Sequence, residues 1–159
     1  MARMVRPVFG ILALTLSALP ALSQDIRFRI FENNTLRPAL EAASLLVAQK
    51  ASGEASAQDI VAAARADYPR LLAALYAEGY FGATVSILVD GREAAGIAPL
   101  DAPSSIRGVE IIVTPGPAFR FGTTEASPLP EGAEMPAAFA GGLPASTDAI
   151  REEIGRAHV

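Results

Sequence analysis

The sequence has no cysteine, no tryptophan and a single histidine, His158, next to its last residue. Without cysteine there are no disulfides and no thiolate chemistry, whether nucleophilic or zinc-binding. No cluster of metal-ligand type and no glycine-rich phosphate loop occurs. The chain is therefore expected to hold neither metal nor cofactor. Charge is also scarce and of the wrong sign for nucleic acid. Charged residues make up 19% of the chain, with 17 acids against 13 bases and a formal net charge of -4. An acidic chain has little electrostatic pull toward phosphate backbones or anionic lipid.

The longest apolar stretch lies at the start. Arg3 and Arg6 precede an apolar run from Val8 to Leu19, and Pro20 and the small-residue pattern Ala21-Leu22-Ser23 come next. A membrane-spanning helix needs about 20 apolar residues, so this run is short for one and fits a cleaved secretory signal over residues 1–23. The alternative is a retained helical anchor. The leader removes two arginines, leaving the mature chain more acidic still. At the other end, Ile154-Gly155-Arg156-Ala157-His158-Val159 matches what one frame of a common DNA-sequencing adapter would encode. Residues 154–159 are therefore expected to be an artefact, with the natural chain continuing differently, and His158 is assigned no role.

Between these ends the periodicities change in an ordered way. Ile26, Phe28 and Ile30 alternate with Arg27, Arg29 and Phe31, the period of a half-buried strand. Asn34 or Thr35 is then placed to cap a helix. Leu36, Leu40, Ala43 and Val47 recur at helical spacing up to about Lys50, with Pro38 in the first turn, where its missing N–H is harmless. Ser56 or Gln58-Asp59 opens a second helix with Ile60, Ala64, Tyr68, Leu71 and Leu75 on one stripe. Pro69 falls inside it, so a kink near Ala66 or a split into two helices is expected, with Asp67 capping the second part. Gly79 ends the helix in the left-handed conformation. Two alternating strands come after it, Thr84–Val89 and Val109–Thr114, joined by a turn at Asp90-Gly91 and a loop from Arg92 to Ser105. Pro115-Gly116-Pro117 ends the second of them.

The predicted fold class is α+β in β-α-α-β-β order, with two helices on one face of a three-stranded mixed sheet. Its core should contain Ile26, Phe28, Ile30, Leu40, Ala64, Leu71, Leu75, Val85, Ile87, Val109 and Ile111. After Pro117 the pattern restarts. Phe119-Arg120-Phe121-Gly122 reads as a new strand, and Ser146-Thr147-Asp148 caps a helix beginning at Ala149. Residues 24–115 are thus one domain, and residues 116–153 the truncated start of a second copy that should pack poorly alone.

Asp59, Asp67, Asp90, Glu93, Asp101 and Glu110 are scattered along the chain. Acid–base catalysis needs such groups convergent in a pocket, whereas most of these sit where surface or loop is expected, so no catalytic residue is assigned. Arg27 and Arg29 face outward and can pair with acids or with a partner. Gly79, Tyr80 and Phe81 serve as helix stop and strand anchor, with contact to a neighbouring module as the alternative use. Pro115, Gly116 and Pro117 are the inter-domain hinge.

Leu75-Tyr76-Ala77-Glu78-Gly79-Tyr80-Phe81, the strand around Val85-Ser86-Ile87, and Val109 through Pro115-Gly116-Pro117 to Phe119-Arg120-Phe121-Gly122 together resemble the POTRA domains (polypeptide-transport-associated) of the BamA/TamA superfamily. The N-terminal region of TamA-type proteins is the nearest likeness, and it covers nearly all of residues 24–153. The resemblance implies a non-enzymatic periplasmic module, a TamB-like envelope partner, and unfolded outer-membrane or autotransporter proteins as substrates. The membrane would be engaged only through a C-terminal barrel that this chain lacks. An exposed strand edge, formed by Thr84, Val85, Ser86, Ile87, Leu88 and Val89, would pair with extended guests; the alternative is that this edge is merely solvated or covered by the Arg92–Ser105 loop. A second reading is a structural ring or division-complex domain with a similar small sheet, for which a β-α-β-β-α order would speak.

Overall fold

The computed structural model describes residues 25–156, apart from 54, 99, 100, 126, 127, 129, 130 and 133 and the side chains of 152–156. The leader expected over residues 1–23 and the last residues of the expected artefact, 157–159, lie outside this range. No described helix is long and apolar enough to cross a membrane.

The architecture is α+β. Strand β1 spans Asp25–Ile30, β2 Thr84–Val89, β3 Arg92–Glu93 and β4 Gly108–Thr114. They form one mixed sheet in the order β1-β4-β2-β3, with β1 parallel to β4 and the other pairs antiparallel. The sheet has four strands rather than three. Asp90 and Gly91 both take positive φ, 46° and 83°, the left-handed pair of a tight two-residue hairpin turn, and this folds Arg92–Glu93 back along β2. So short a strand carries no readable period.

The helical layer is α1 (Arg37–Ala43), α2 (Leu45–Ser52) and α3 (Ala57–Ala77). The helix expected from Leu36 to Lys50 is broken at Ser44, which is extended at φ -80°, ψ 125°. The cause lies on another element. Asp67, fully buried on α3, accepts hydrogen bonds from the Ser44 hydroxyl (2.6 Å) and from the backbone N–H groups of Leu45 (2.7 Å) and Leu46 (3.2 Å). A helix N-terminus presents unpaired donors, and a carboxylate there satisfies them and complements the dipole. Asp67 therefore caps α2, not a second half of α3. The capping residue at the chain's first turn also differs from expectation, for Asn33 accepts from the Thr35 N–H at 3.0 Å.

Helix α3 runs unbroken through Pro69, with no split into two helices. Its start matches the sequence, since Ser56 and Asp59 form a reciprocal capping box. Two arginines tie it to its surroundings. Arg70 donates to the Ala43 carbonyl at the end of α1 (2.8 Å), and Arg65 to the Ile97 carbonyl (2.7 Å).

The core lies between this layer and one face of the sheet. Leu40, Leu46, Ile60, Ala64, Leu71 and Leu75 meet Ile87, Val89, Val109, Ile111 and Val113, all buried. Ile26, Phe28, Ile30 and Val85 pack against them half-buried. Every expected core residue is either buried in this cluster or packed against it. The stretch expected to be loop adds Ala94 and Ile97, and the adjoining Ile106 joins them to close the end of the sandwich beside β3.

The C-terminal segment is different in kind. Among its described residues none after Pro115 is buried. Phe119, Arg120 and Phe121 run extended, bridged antiparallel to Pro144, and α4 (Thr147–Arg156) starts on a Ser146 cap that accepts from the Ala149 N–H at 3.1 Å.

Candidate partner-binding site

The backbone rims of the sheet are fixed by its hydrogen bonds and by strand alternation. Asp25 N–H donates to the Arg107 carbonyl and Phe31 N–H to the Val113 carbonyl, so the odd residues of β1 face β4. The N–H and C=O of Ile26, Phe28 and Ile30 then point away from the sheet. On the other side, Asp90 N–H donates to the Gly108 carbonyl, so the even residues of β2 face β4. The backbone groups of Val85, Ile87 and Val89 point outward.

These two rims are closed to different extents. On the β2 side, Val89 is paired with Arg92 of β3. The Ile87 N–H donates to the Glu93 carboxylate at 3.2 Å, and the Tyr68 hydroxyl lies 3.4 Å from the Ile87 carbonyl oxygen while donating to Glu93. Ser86 Oγ also donates to Glu93, at 2.6 Å. The rim expected between Thr84 and Val89 is therefore occupied over most of its length, leaving Val85. Sequence periodicity identifies β2 as a strand but carries no sign of the side chains that seal it.

The electrostatics of this seal are consistent with its geometry. Burial opposes ionisation of Glu93, but hydrogen bonds from Ser86, Tyr68 and the Ile87 N–H outweigh it and hold the carboxyl below its usual range. The Tyr68 phenol is pushed up to about 12, first by burial and then by its bond to Glu93.

On the β1 side, among the described residues, one hydrogen bond closes the rim: Arg37 Nη2 donates to the Phe28 carbonyl at 3.1 Å. The same guanidinium lies 5.9 Å from the centre of the Phe28 ring and 3.3 Å from Glu41 Oε1. Nothing in the sequence signals this role for Arg37, because its spacing from Phe28 matches neither a helical nor a strand period.

The outer face of the sheet carries a shallow hollow lined by Arg27, Arg29, Arg107, Asp25, Asp90 and Glu110. Most of its charges are engaged locally. Arg27 pairs with Asp25 and Arg29 with Glu110, each at 2.6 Å, and Asp90 accepts from the Arg107 and Gly108 N–H groups. Exposed pairs of this sort are worth little. No group of acids and histidine suited to a metal occurs among the described residues.

Gly79, Tyr80 and Phe81 sit where α3 meets the C-terminal segment. Gly79 N–H donates to the Tyr76 carbonyl and Tyr80 N–H to the Leu75 carbonyl, a Schellman stop with Gly79 at φ 87°. The Gly79 carbonyl accepts from Phe119 N–H at 2.9 Å. A Cβ on Gly79 would lie 3.3 Å from the Ala145 carbonyl oxygen. Phe81 stacks on Tyr76 and meets Phe119 edge-on, at centroid distances of 5.3 and 5.8 Å. The element is thus both a helix stop and the seat of the segment beyond Pro115-Gly116-Pro117, where Gly116 takes φ 69°.

No protein-family model and no curated protein matches this chain.

Proposed function

We propose that this chain is a periplasmic POTRA-like module of a TamA-like assembly factor, and that it binds extended polypeptide by adding it as a strand beside β1. The observation that carries the reading is the β1 rim, where Ile26, Phe28 and Ile30 present backbone donors and acceptors outward and only the Phe28 carbonyl is engaged, among the described residues. A guest strand paired there is held by main-chain bonds that demand little of its sequence, which suits a factor handling many barrel precursors. On this reading the partners are a TamB-like envelope protein and unfolded outer-membrane proteins. Three further features support it. All helices before the second strand form one layer, an order unlike the β-α-β-β-α of the ring-domain alternative. The Gly79 stop seats the segment that follows the Pro115-Gly116-Pro117 joint through the bond from Phe119 N–H. The segment after the joint has no buried residue among those described, as the opening of a second module would.

The test is an NMR titration of the 15N-labelled protein with a synthetic peptide of about ten residues alternating apolar and polar side chains, the pattern of one membrane β-strand. The amides of Ile26, Phe28 and Ile30 should shift and gain protection from exchange. Ile26→Pro, which removes an outward donor that the sheet does not use, should weaken binding about tenfold. Perturbations confined to β2 or to the outer face, or an Ile26→Pro variant that binds as well as the parent, would overturn the assignment.

A further inference from the structure

The two rims share a device. The middle outward residue of each strand, Phe28 on β1 and Ile87 on β2, has its backbone engaged by side chains from outside the strand. On β2 these are Glu93 and Tyr68, bonded to each other as well as to Ile87. On β1, among the described residues, it is Arg37 alone, reaching from the first position of α1. Side chains that close an edge suppress unwanted strand pairing. A single arginine with part of its surface in water is a weaker closure than a network.

We infer that Arg37 is a removable plug on the β1 rim: its guanidinium stands in for the N–H of a guest strand at the Phe28 carbonyl, and binding requires it to leave. This rests on the strand-addition reading above and names the residue that regulates the same site. The geometry makes the exchange cheap. Arg37 is already held by Glu41 at 3.3 Å and lies over the Phe28 ring, so it can give up the carbonyl and keep both contacts. The Phe28 N–H is not engaged by the plug, so a guest can make its first bond there before Arg37 moves. The plug then acts as a filter. Apolar chains that collide briefly with the rim do not displace it, while a segment that pairs along Ile26, Phe28 and Ile30 together does.

Arg37→Met keeps a long apolar side chain over Phe28 and removes every donor, whereas Arg37→Lys keeps a donor that can reach the carbonyl. Affinity for the alternating peptide, measured by fluorescence anisotropy, should rise about threefold to tenfold in Arg37→Met and stay near the parent value in Arg37→Lys. Glu41→Gln, which spares the bond to Phe28, should also leave it unchanged. Unliganded Arg37→Met should self-associate in sedimentation at concentrations where the parent is monomeric, since an unplugged edge pairs with its own kind. Equal affinity for parent and Arg37→Met, or weaker binding by the variant, overturns the plug while leaving strand addition standing. If no protein in the series binds peptide, strand addition fails, and a monomeric Arg37→Met then removes the plug as well.

Discussion

Strands β1 and β2 flank the same central strand, and each buries one face against the same helices, yet their outer rims are unlike. β2 is continued by a tight hairpin that brings Glu93 back against Ile87, and Tyr68 from α3 completes the closure. β1 is followed by the helices, and among the described residues a single arginine, Arg37, covers its middle. On both edges the stretch of chain immediately downstream of the strand supplies closing groups, joined on β2 by Tyr68 from upstream. A two-residue turn places a carboxylate on one rim. On the other, a long crossover carries the chain away to form helices, as a parallel pair requires.

This asymmetry should respond most to a change beneath β1. Asp67 caps α2 and sets the break between α1 and α2, so it holds the helix that carries Arg37. Asp67→Ala removes the acceptor of three donors, two of those bonds buried and one part-buried, and should cost about 3 kcal/mol. Chemical denaturation measures the loss, and hydrogen exchange should show it concentrated in α1, α2 and β1 with β2 less affected. Opening the other rim should cost less. Glu93→Gln weakens the bonds from Ser86, Tyr68 and the Ile87 N–H and should destabilise by about 1 kcal/mol, with faster exchange at Ile87 and little change at Phe28.

The smallest effect is titration of the same network. Glu93 has a depressed folded pKa, so its contribution is full above the usual carboxylate range and is lost as pH falls through the folded value. Tyr68 has a raised folded pKa, so its contribution is full below the ordinary phenol value of about 10 and is lost as pH rises toward about 12. Ile87 exchange, corrected for intrinsic rates, should therefore accelerate at both extremes, while β1 shows no such dependence. Both groups are partly exposed and screened by solvent, so the change in denaturation midpoint should be small.

Legibility in the sequence varies by element. The strands at 25–30, 84–89 and 108–114 and the apolar stripe of α3 are readable because each has a clean period and one buried face. The Ser56 and Ser146 caps and the Gly79 stop are readable because their chemistry is local. The break at Ser44 is not, because the acid responsible is on another helix. Pro69 breaks less than its position suggests, for α3 continues past it within a packed layer. The sequence offers β2 as either an open edge or one covered by the Arg92–Ser105 loop, and the start of that loop covers it; which of the two holds is not legible, because β3 is two residues long and Glu93 resembles any surface acid. The outward arginines could pair with acids or with a partner, and Arg27 and Arg29 pair with Asp25 and Glu110.

Hydrophobic periodicity alone was enough to set the class of fold, the order of its main elements and a large part of its core. It acts along the chain, and burial of one face per element is its direct consequence. Which strand is central, which rim is closed, and the parts played by Arg37, Glu93, Tyr68 and Asp67 emerge only in the folded chain. Those outcomes depend on side chains meeting backbone groups from distant elements, and such meetings leave no period in the sequence.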